Sequence, residues 1–238
     1  MKPRILLADD HRVVREGLRA VLERGGLDVA GEAADGWSAV RLADRLHPDV
    51  VLMDLSMPVL NGLDAAREIL ARAPHTRIVL LTVHVEEPYV VAALRAGVRG
   101  YVIKTQSSSE LLDAIHEVLA GGTFLSPRVA GTLVQAYLSG QRREKDPLTL
   151  REREVLQLVA EGHTTKDVAA TLQLTVKAAE SYRARLMSKL SLHSTAELVK
   201  YAVRVGVVHL GFLECCTSDP AIGLLHSLQC AAGRIMNL

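Results

Sequence analysis

Asp54 closes a short apolar run, Val50-Val51-Leu52-Met53, and is followed by Leu55-Ser56-Met57-Pro58. A continuous aliphatic run without alternation suits a strand buried on both faces of a parallel sheet. Other runs of this kind also end in polar groups: Arg4–Ala8 in Asp9-Asp10, Arg77–Leu81 in Thr82, and Gly100–Ile103 in Lys104. In open parallel sheets, ligands gather beyond the carboxyl ends of the strands. Three carboxylates, a hydroxyl and an ammonium would then share one edge. Carboxylates so placed repel one another unless a cation is near. Hard oxygen donors with open positions suit Mg2+, which takes one or two carboxylates and keeps water for a phosphate. A carboxylate can also accept a phosphoryl group covalently. Mg2+ and Lys104 would offset the charge on the transferred oxygens, and Thr82 would hydrogen-bond the attached group. Taken singly, each residue has an ordinary reading as a helix cap, a turn residue or a solvated charge. The combination in this order is far more specific.

The elements that must position these groups follow from periodicity and breakers. Val14, Leu18, Val21 and Leu22 recur at helical spacing and stop at Gly25-Gly26. A short strand is expected at Asp28–Gly31, and helices at Trp37–Leu46, Gly62–Ala71 and Glu87–Ala96. The last helix of this part opens at Ser108-x-x-Leu111 and runs to Gly121-Gly122. Strands alternating with helices predict an α/β fold, here a five-stranded parallel, doubly wound sheet.

Composition narrows the class. The chain has 238 residues, enough for one or two domains, with hydrophobic and charged contents (49% and 23%) ordinary for a soluble globular protein. No apolar run reaches membrane-spanning length, and no signal-peptide pattern is present, so cytoplasmic residence without membrane attachment is expected. Cys215, Cys216 and Cys230 match no zinc spacing and read as free thiols. Residues 1–120 carry 14 Lys+Arg against 17 Asp+Glu, whereas residues 148–210 carry 9 against 6. An acidic front and a basic back point to two modules with different partners.

Residues 121–147 read as a linker. Val129–Leu138 has the composition of a short helix, and the run Gln141–Asp146, with Arg142, Arg143 and Lys145, reads as a solvated connector. Residues 148–210 read as an all-α domain of four helices, 151–160, 166–172, 176–190 and 195–205. Thr149/Glu152, Thr164/Asp167 and Ser194/Glu197 are capping-box pairs, and Thr175 is a one-way cap. Only Gln173-Leu174-Thr175 joins the second helix to the third, the helix-turn-helix spacing that seats the later helix in a DNA major groove. On that third helix Val176, Ala179, Leu186, Met187 and Leu190 make an apolar stripe. Lys177, Ser181 and Arg185 recur on another face beside Ala178. Lys177 and Arg185 could reach base edges or phosphates, and Thr164, Thr165, Lys166 and Lys189 suit phosphate contacts.

The motifs Leu7-Ala-Asp-Asp-His11, Met53-Asp-Leu-Ser-Met-Pro58 with Asn61-Gly62, Leu81-Thr-Val-His84 and Gly100-Tyr-Val-Ile-Lys104 resemble those of two-component receiver domains, over the whole of residues 1–120. Those of the second module are Leu148-Thr-Leu-Arg-Glu-Arg-Glu-Val-Leu156, Gly162-His-Thr-Thr-Lys-Asp-Val-Ala169, Leu174-Thr-Val-Lys177, Leu186-Met-Ser-Lys-Leu190 and His193-Ser-Thr-Ala-Glu-Leu198. They look like a LuxR-type helix-turn-helix, and the pairing is that of the NarL/FixJ class of response regulators. The resemblance implies a flavodoxin-like receiver whose Asp54 takes phosphate from a sensor histidine kinase. It implies Mg2+ held by Asp9 or Asp10 or both, by Asp54 and by the backbone carbonyl of Ser56. Thr82 and Tyr101 match the family's switch pair, and His84 stands where the rate of phosphate loss is tuned. The resemblance also implies double-stranded DNA as a partner and a homodimer through the last helix, where Leu198, Tyr201, Ala202 and Val205 share a face.

Three departures accompany it. Thr105 follows Lys104, where proline, often after a cis bond, is frequent. Ala178-Ala179 replaces the usual Thr-Val, so operator preference does not carry over. Residues 211–238 extend beyond the family's usual end, with Leu225, Leu228, Ala232 and Ile235 at helical spacing. Two alternatives compete with a phosphorylation-switched transcription regulator. An aspartyl-phosphate phosphatase would need a second acid two residues past the nucleophile, where Ser56 stands. A regulator indifferent to phosphorylation would leave the Asp9, Asp10, Asp54, Thr82 and Lys104 set without a use.

Overall fold

The computed structural model describes residues 2–138 and 147–208, which fall into two compact units, 1–154 and 155–238. The run Gln141–Asp146 and the extension with its three cysteines lie outside the described residues. The first unit alternates β1 (Arg4–Ala8), α1 (Arg12–Arg24), β2 (Asp28–Ala33), α2 (Gly36–Leu46), β3 (Val50–Asp54) and α3 (Gly62–Arg72). It continues through β4 (Arg77–Thr82), α4 (Glu87–Arg95), β5 (Gly100–Ile103), α5 (Ser108–Leu119), β6 (Phe124–Leu125) and α6 (Pro127–Leu138). All strand pairs are parallel, in the order β2-β1-β3-β4-β5-β6.

The chain turns outward in opposite directions after β1 and after β3, and these strands are neighbours. That switch point opens the crevice in which doubly wound sheets bind ligands. Register puts Ala8 beside Met53, so Asp9 and Asp54 leave the sheet side by side. The expected five strands gain a sixth at Phe124–Leu125, inside the stretch read as linker. Two residues are too few to show a period.

The inner strands β1, β3, β4 and β5 bury both of their faces, as their apolar runs require, whereas the edge strand β2 is half-buried along most of its length. Leu6, Val51, Met53, Leu80 and Tyr101 point to one side, where they pack with α2, α3, α4 and Val129 of α6. Ile5, Leu7, Val50, Leu52, Val79 and Val102 point to the other, where Leu22 of α1 and Leu111, Ala114, Ile115 and Val118 of α5 cover them. Burying each such Val or Leu side chain contributes roughly 1.5–3 kcal/mol.

The loop from β3 to α3 is set by backbone constraints. A Cβ on Gly62 would stand 1.9 Å from the Asp54 carbonyl oxygen, so only glycine lets α3 begin against the strand end. Asn61 caps that helix, its side-chain oxygen accepting from the Asp64 N–H at 2.9 Å. Val59 holds φ at 68°, in the left-handed region that a β-branched residue avoids. Strain of this kind costs roughly 1–2 kcal/mol. Val59→Gly is expected to raise the unfolding free energy by about 1 kcal/mol, and Gly62→Ala to lower it by about 3 kcal/mol or to prevent folding. Urea denaturation checks both.

The other helices are α7 (Leu150–Ala160), α8 (Thr165–Thr171), α9 (Val176–Lys189) and α10 (Thr195–Arg204), and the division between the units falls within α7. Their starts follow the expected caps. The Thr149/Glu152, Thr164/Asp167 and Ser194/Glu197 pairs bond reciprocally. The Thr175 hydroxyl accepts from the Ala178 N–H at 3.2 Å. Between α8 and α9 the turn is closed by the Leu174 N–H on the Ala169 carbonyl at 2.8 Å, with Gln173 left-handed at φ 53°. Ala179 and Leu186 are buried, but Val176 is 42% exposed, so the expected apolar stripe on α9 begins later than its period suggests. Position 176 opens the helix, and its side chain there faces water.

Candidate functional site

The strand ends bring Asp9, Asp54, Thr82 and Lys104 together. Lys104 Nζ lies 2.8 Å from Asp9 Oδ2 and 2.9 Å from Asp54 Oδ2, bridging two carboxylates that are almost wholly buried. Burial pushes the Asp54 carboxyl up to about 6; Lys104 pulls against this, Asp9 adds to it, and the Ser56 N–H bonds the charged form. Lys104 is raised above its ordinary value. Burial works against its charge, and Asp54 and Asp9 outweigh burial. The bond between Lys104 and Thr105 is trans, and the Lys104 N–H donates to the Thr82 carbonyl at 2.8 Å.

Asp10 stands at the mouth. Its Oδ1 is 2.7 Å from His11 Nδ1, and the His11 N–H donates to Asp9 Oδ1 at 2.8 Å. Ligand atoms of Asp9, Asp10, His11 and Asp54 lie within 4.8 Å of one another. An all-oxygen set of three carboxylates, partly open to water through Asp10, fits a hard divalent cation such as Mg2+. His11 joins the cluster as the next residue after Asp10, and Arg15, one turn further along α1, donates through its guanidinium to the Asp9 carbonyl at 2.7 Å and to Glu32 at 3.2 Å. Packing of α1 against β2 produces the contact with Glu32.

Thr82 is buried, and its Oγ1 accepts from the His84 N–H at 3.1 Å. Tyr101 lies fully inside, its hydroxyl donating to the His84 carbonyl at 3.0 Å. Burial pushes the Tyr101 hydroxyl well above its ordinary value, with Glu86 and Tyr89 adding to this, and pushes the His84 imidazole down. Thr82, His84 and Tyr101 thus form one connected chain from the strand edge to the α4 side of the sheet.

In the second unit, Lys177, Ser181, Arg185 and Lys189 are exposed along α9, with Ala178 half-buried beside them. The Arg185 guanidinium lies 5.7 Å from the centroid of the Tyr182 ring, a cation–π contact that orients it. Lys166 and Thr175 are exposed and Thr165 half-buried. Thr164 is exposed and engaged in its own cap, its N–H and its hydroxyl both donating to Asp167 Oδ2 at 3.0 and 2.6 Å. On α10, Leu198 and Ala202 are wholly buried, Tyr201 nearly so and Val205 half-buried.

A response regulator receiver domain matches residues 5–116, and the bacterial regulatory proteins of the luxR family match residues 146–202. The transcriptional regulatory protein MctR of Rhizobium johnstonii is 39% identical over 87% of this chain and 96% of its own. The response regulator GacA of Pseudomonas aeruginosa is 36% identical over 86% and 97%. The chain belongs to the response regulators. Among solved structures, RcsB from Salmonella enterica serovar Typhimurium, bound to promoter rprA in the presence of phosphomimetic BeF3−, is 27% identical with a TM-score of 0.56, over 86% of this chain and 100% of that one. A receiver joined to a LuxR-type helix-turn-helix is the architecture of a transcriptional response regulator of a two-component system, in the NarL/FixJ class. Among the described residues, no helix of this response regulator is long and apolar enough to cross a membrane.

The raised Asp54 carboxyl fixes the sign of a pH effect. An unfolded aspartate titrates near 4, so the folded chain holds this proton more tightly. Ionising Asp54 therefore removes stability as pH rises from about 4 to about 6, and the loss is complete above that. In chelator at pH 7.5, Asp54→Asn is expected to raise the unfolding free energy by about 1–3 kcal/mol, with little gain at pH 4. Denaturant titrations at the two pH values measure this.

Proposed function

We propose that this response regulator is switched by phosphorylation of Asp54 from the phosphohistidine of a sensor histidine kinase, and that the phosphorylated form binds double-stranded operator DNA as a homodimer. The observation that carries the reading is the buried Asp54 carboxylate with the Lys104 ammonium 2.9 Å away at the sheet's switch point. An Asp54 oxygen attacks phosphorus as the phosphorus–nitrogen bond breaks and the imidazole leaves. Lys104 neutralises charge on the phosphoryl oxygens and holds Asp54 beside Asp9. Asp9, Asp10, Asp54 and the Ser56 carbonyl would hold Mg2+, which supplies Lewis-acid stabilisation of the same oxygens when bound. Thr82 exchanges its contact with the His84 N–H for the phosphoryl group, and Tyr101 registers that exchange through the His84 carbonyl.

Ser56 occupies the place where a phosphatase would carry its general acid. Its inertness favours a phosphate that persists, lost only slowly by autodephosphorylation, and not turnover of external substrates. The receiver takes residues 1–120 with β6 and α6 packed on its sheet, and the DNA-binding module takes residues 148–210, with a linker between them and an extension of unassigned role after them. Lys177, Ala178, Ser181 and Arg185 face the groove, and Thr165, Lys166, Thr175 and Lys189 reach the backbone. Two copies pair through α10; with Leu198 and Ala202 buried, the contact falls to the half-buried Val199, Val203 and Val205. The protein works in the cytoplasm, where kinase and DNA are accessible.

Beryllofluoride with Mg2+ is expected to raise dimerisation and DNA affinity in the wild type and to leave Asp54→Asn unchanged. Equal responses of the two proteins in sedimentation and fluorescence anisotropy would refute the switch. Lys177→Ala and Arg185→Ala are each expected to lower the slope of log affinity against log salt by about 1 for a phosphate contact, or to relax base preference for a base contact.

A further inference from the structure

Ser126, between β6 and α6, is fully buried and does three things at once. Its N–H donates to the Tyr101 carbonyl at 3.0 Å, extending the β5–β6 ladder. Its carbonyl accepts from the Ala130 N–H at 3.0 Å, the first turn of α6. Its hydroxyl donates to Gln106 Oε1. That same oxygen accepts from the Ile103 N–H at 3.2 Å, and Ser126 Oγ lies 3.4 Å from the same nitrogen. Gln106 Nε2 donates to Glu110 on α5, and the Gln106 N–H donates to the Ile103 carbonyl at 3.0 Å. The partners fix which end of the amide is oxygen, because the Ile103 N–H can only donate.

The segment bracketed by these bonds is Tyr101 to Gln106, which carries both Tyr101 and Lys104. One face of Gln106 closes the loop that holds Lys104. The other is bolted to the residue that begins α6, whose Val129 packs in the same core cluster as Tyr101, Tyr89 and Val90. The aspartyl-phosphate reading gives these two residues no role.

We propose that Gln106 and Ser126 are positioning residues which lock the Lys104 loop to the first turn of α6, so that the state of Asp54 is passed to α6. The proposal rests on phosphorylation at Asp54. When Lys104 turns from Asp9 toward a phosphoryl group, the 104–106 turn moves with it. The Gln106–Ser126 bond carries that movement into α6, because Ser126 is tied to β5 and to the helix alike. Without the bond, Lys104 can still engage the phosphate, but α6 no longer follows.

Hydrogen exchange on the full chain, with Mg2+ alone and with beryllofluoride, tests this for the wild type, Ser126→Ala, Gln106→Ala and Asp54→Asn. Gln106 is a half-buried loop residue, so its variant covers the case in which the Ser126 variant fails to fold. In the wild type, beryllofluoride is expected to slow exchange in both 102–107 and 126–133, by about five-fold or more, the scale of one hydrogen bond. In the two latch variants the slowing persists at 102–107 and is lost at 126–133. Beryllofluoride affinity stays within about two-fold, while the gain in DNA affinity drops about five- to tenfold. A general loss of stability would not change the ratio between the two states of one variant. Latch variants that still slow 126–133 like the wild type overturn the proposal. So does a wild type slowed at 102–107 only, which leaves the Asp54 reading intact. A wild type slowed in neither segment and indistinguishable from Asp54→Asn overturns both.

Discussion

Two carboxylates buried side by side repel each other, and one ammonium between them offsets that repulsion. Asp9 and Asp54 each lie within 2.9 Å of Lys104 Nζ, and the trio retains one net negative charge when all are ionised. Much of the first unit follows from holding these groups in place. Parallel register brings Asp9 and Asp54 out at the same level, β5 delivers Lys104 across β4, and Arg15 fastens the carbonyl of Asp9 from outside. Such a cluster is costly by itself, since desolvation offsets most of the Coulomb gain. Its residual negative charge is what gives a hard cation and a phosphoryl group reason to enter together.

The inner strands β1, β3, β4 and β5 were legible because each is buried on both faces. Runs such as Val50–Met53 then show no alternation, and each is followed by a breaker. The ligand edge was legible too, since a strand's last residue has little freedom in where it emerges. Contacts made by packing were not. Arg15 reaches Glu32 through the placement of α1 against β2, and nothing in their spacing announces it. The strand at Phe124–Leu125 leaves no mark in the sequence because a pair of residues has no period, and the Gly121-Gly122 pair before it resembles a boundary.

The second unit shows the same division. Its helix starts are local, each written as a hydroxyl and an acid three residues apart, and they form as expected. Exposure is not local. Val176 fits an apolar stripe by count yet faces water, while Leu198 and Ala202 look available for pairing yet fill the core. Thr164 shows the limit in another way. Its one hydroxyl proton goes to Asp167 Oδ2, a bond that the cap motif does not announce, because in a capping box the hydroxyl need only accept.

Pairing with β6 also settles where the sheet ends. The short strand covers the outer edge of β5 at Gly100 and Tyr101. A receiver cut at Gly121-Gly122, the place composition suggests, would bare the unpaired amides and carbonyls of a wholly apolar strand. Bare edges of that kind recruit other chains. A fragment made that way would tend to self-associate whatever its phosphorylation state, and its oligomers would say nothing about those of the whole protein. The end of α6 is the safer place to divide this molecule.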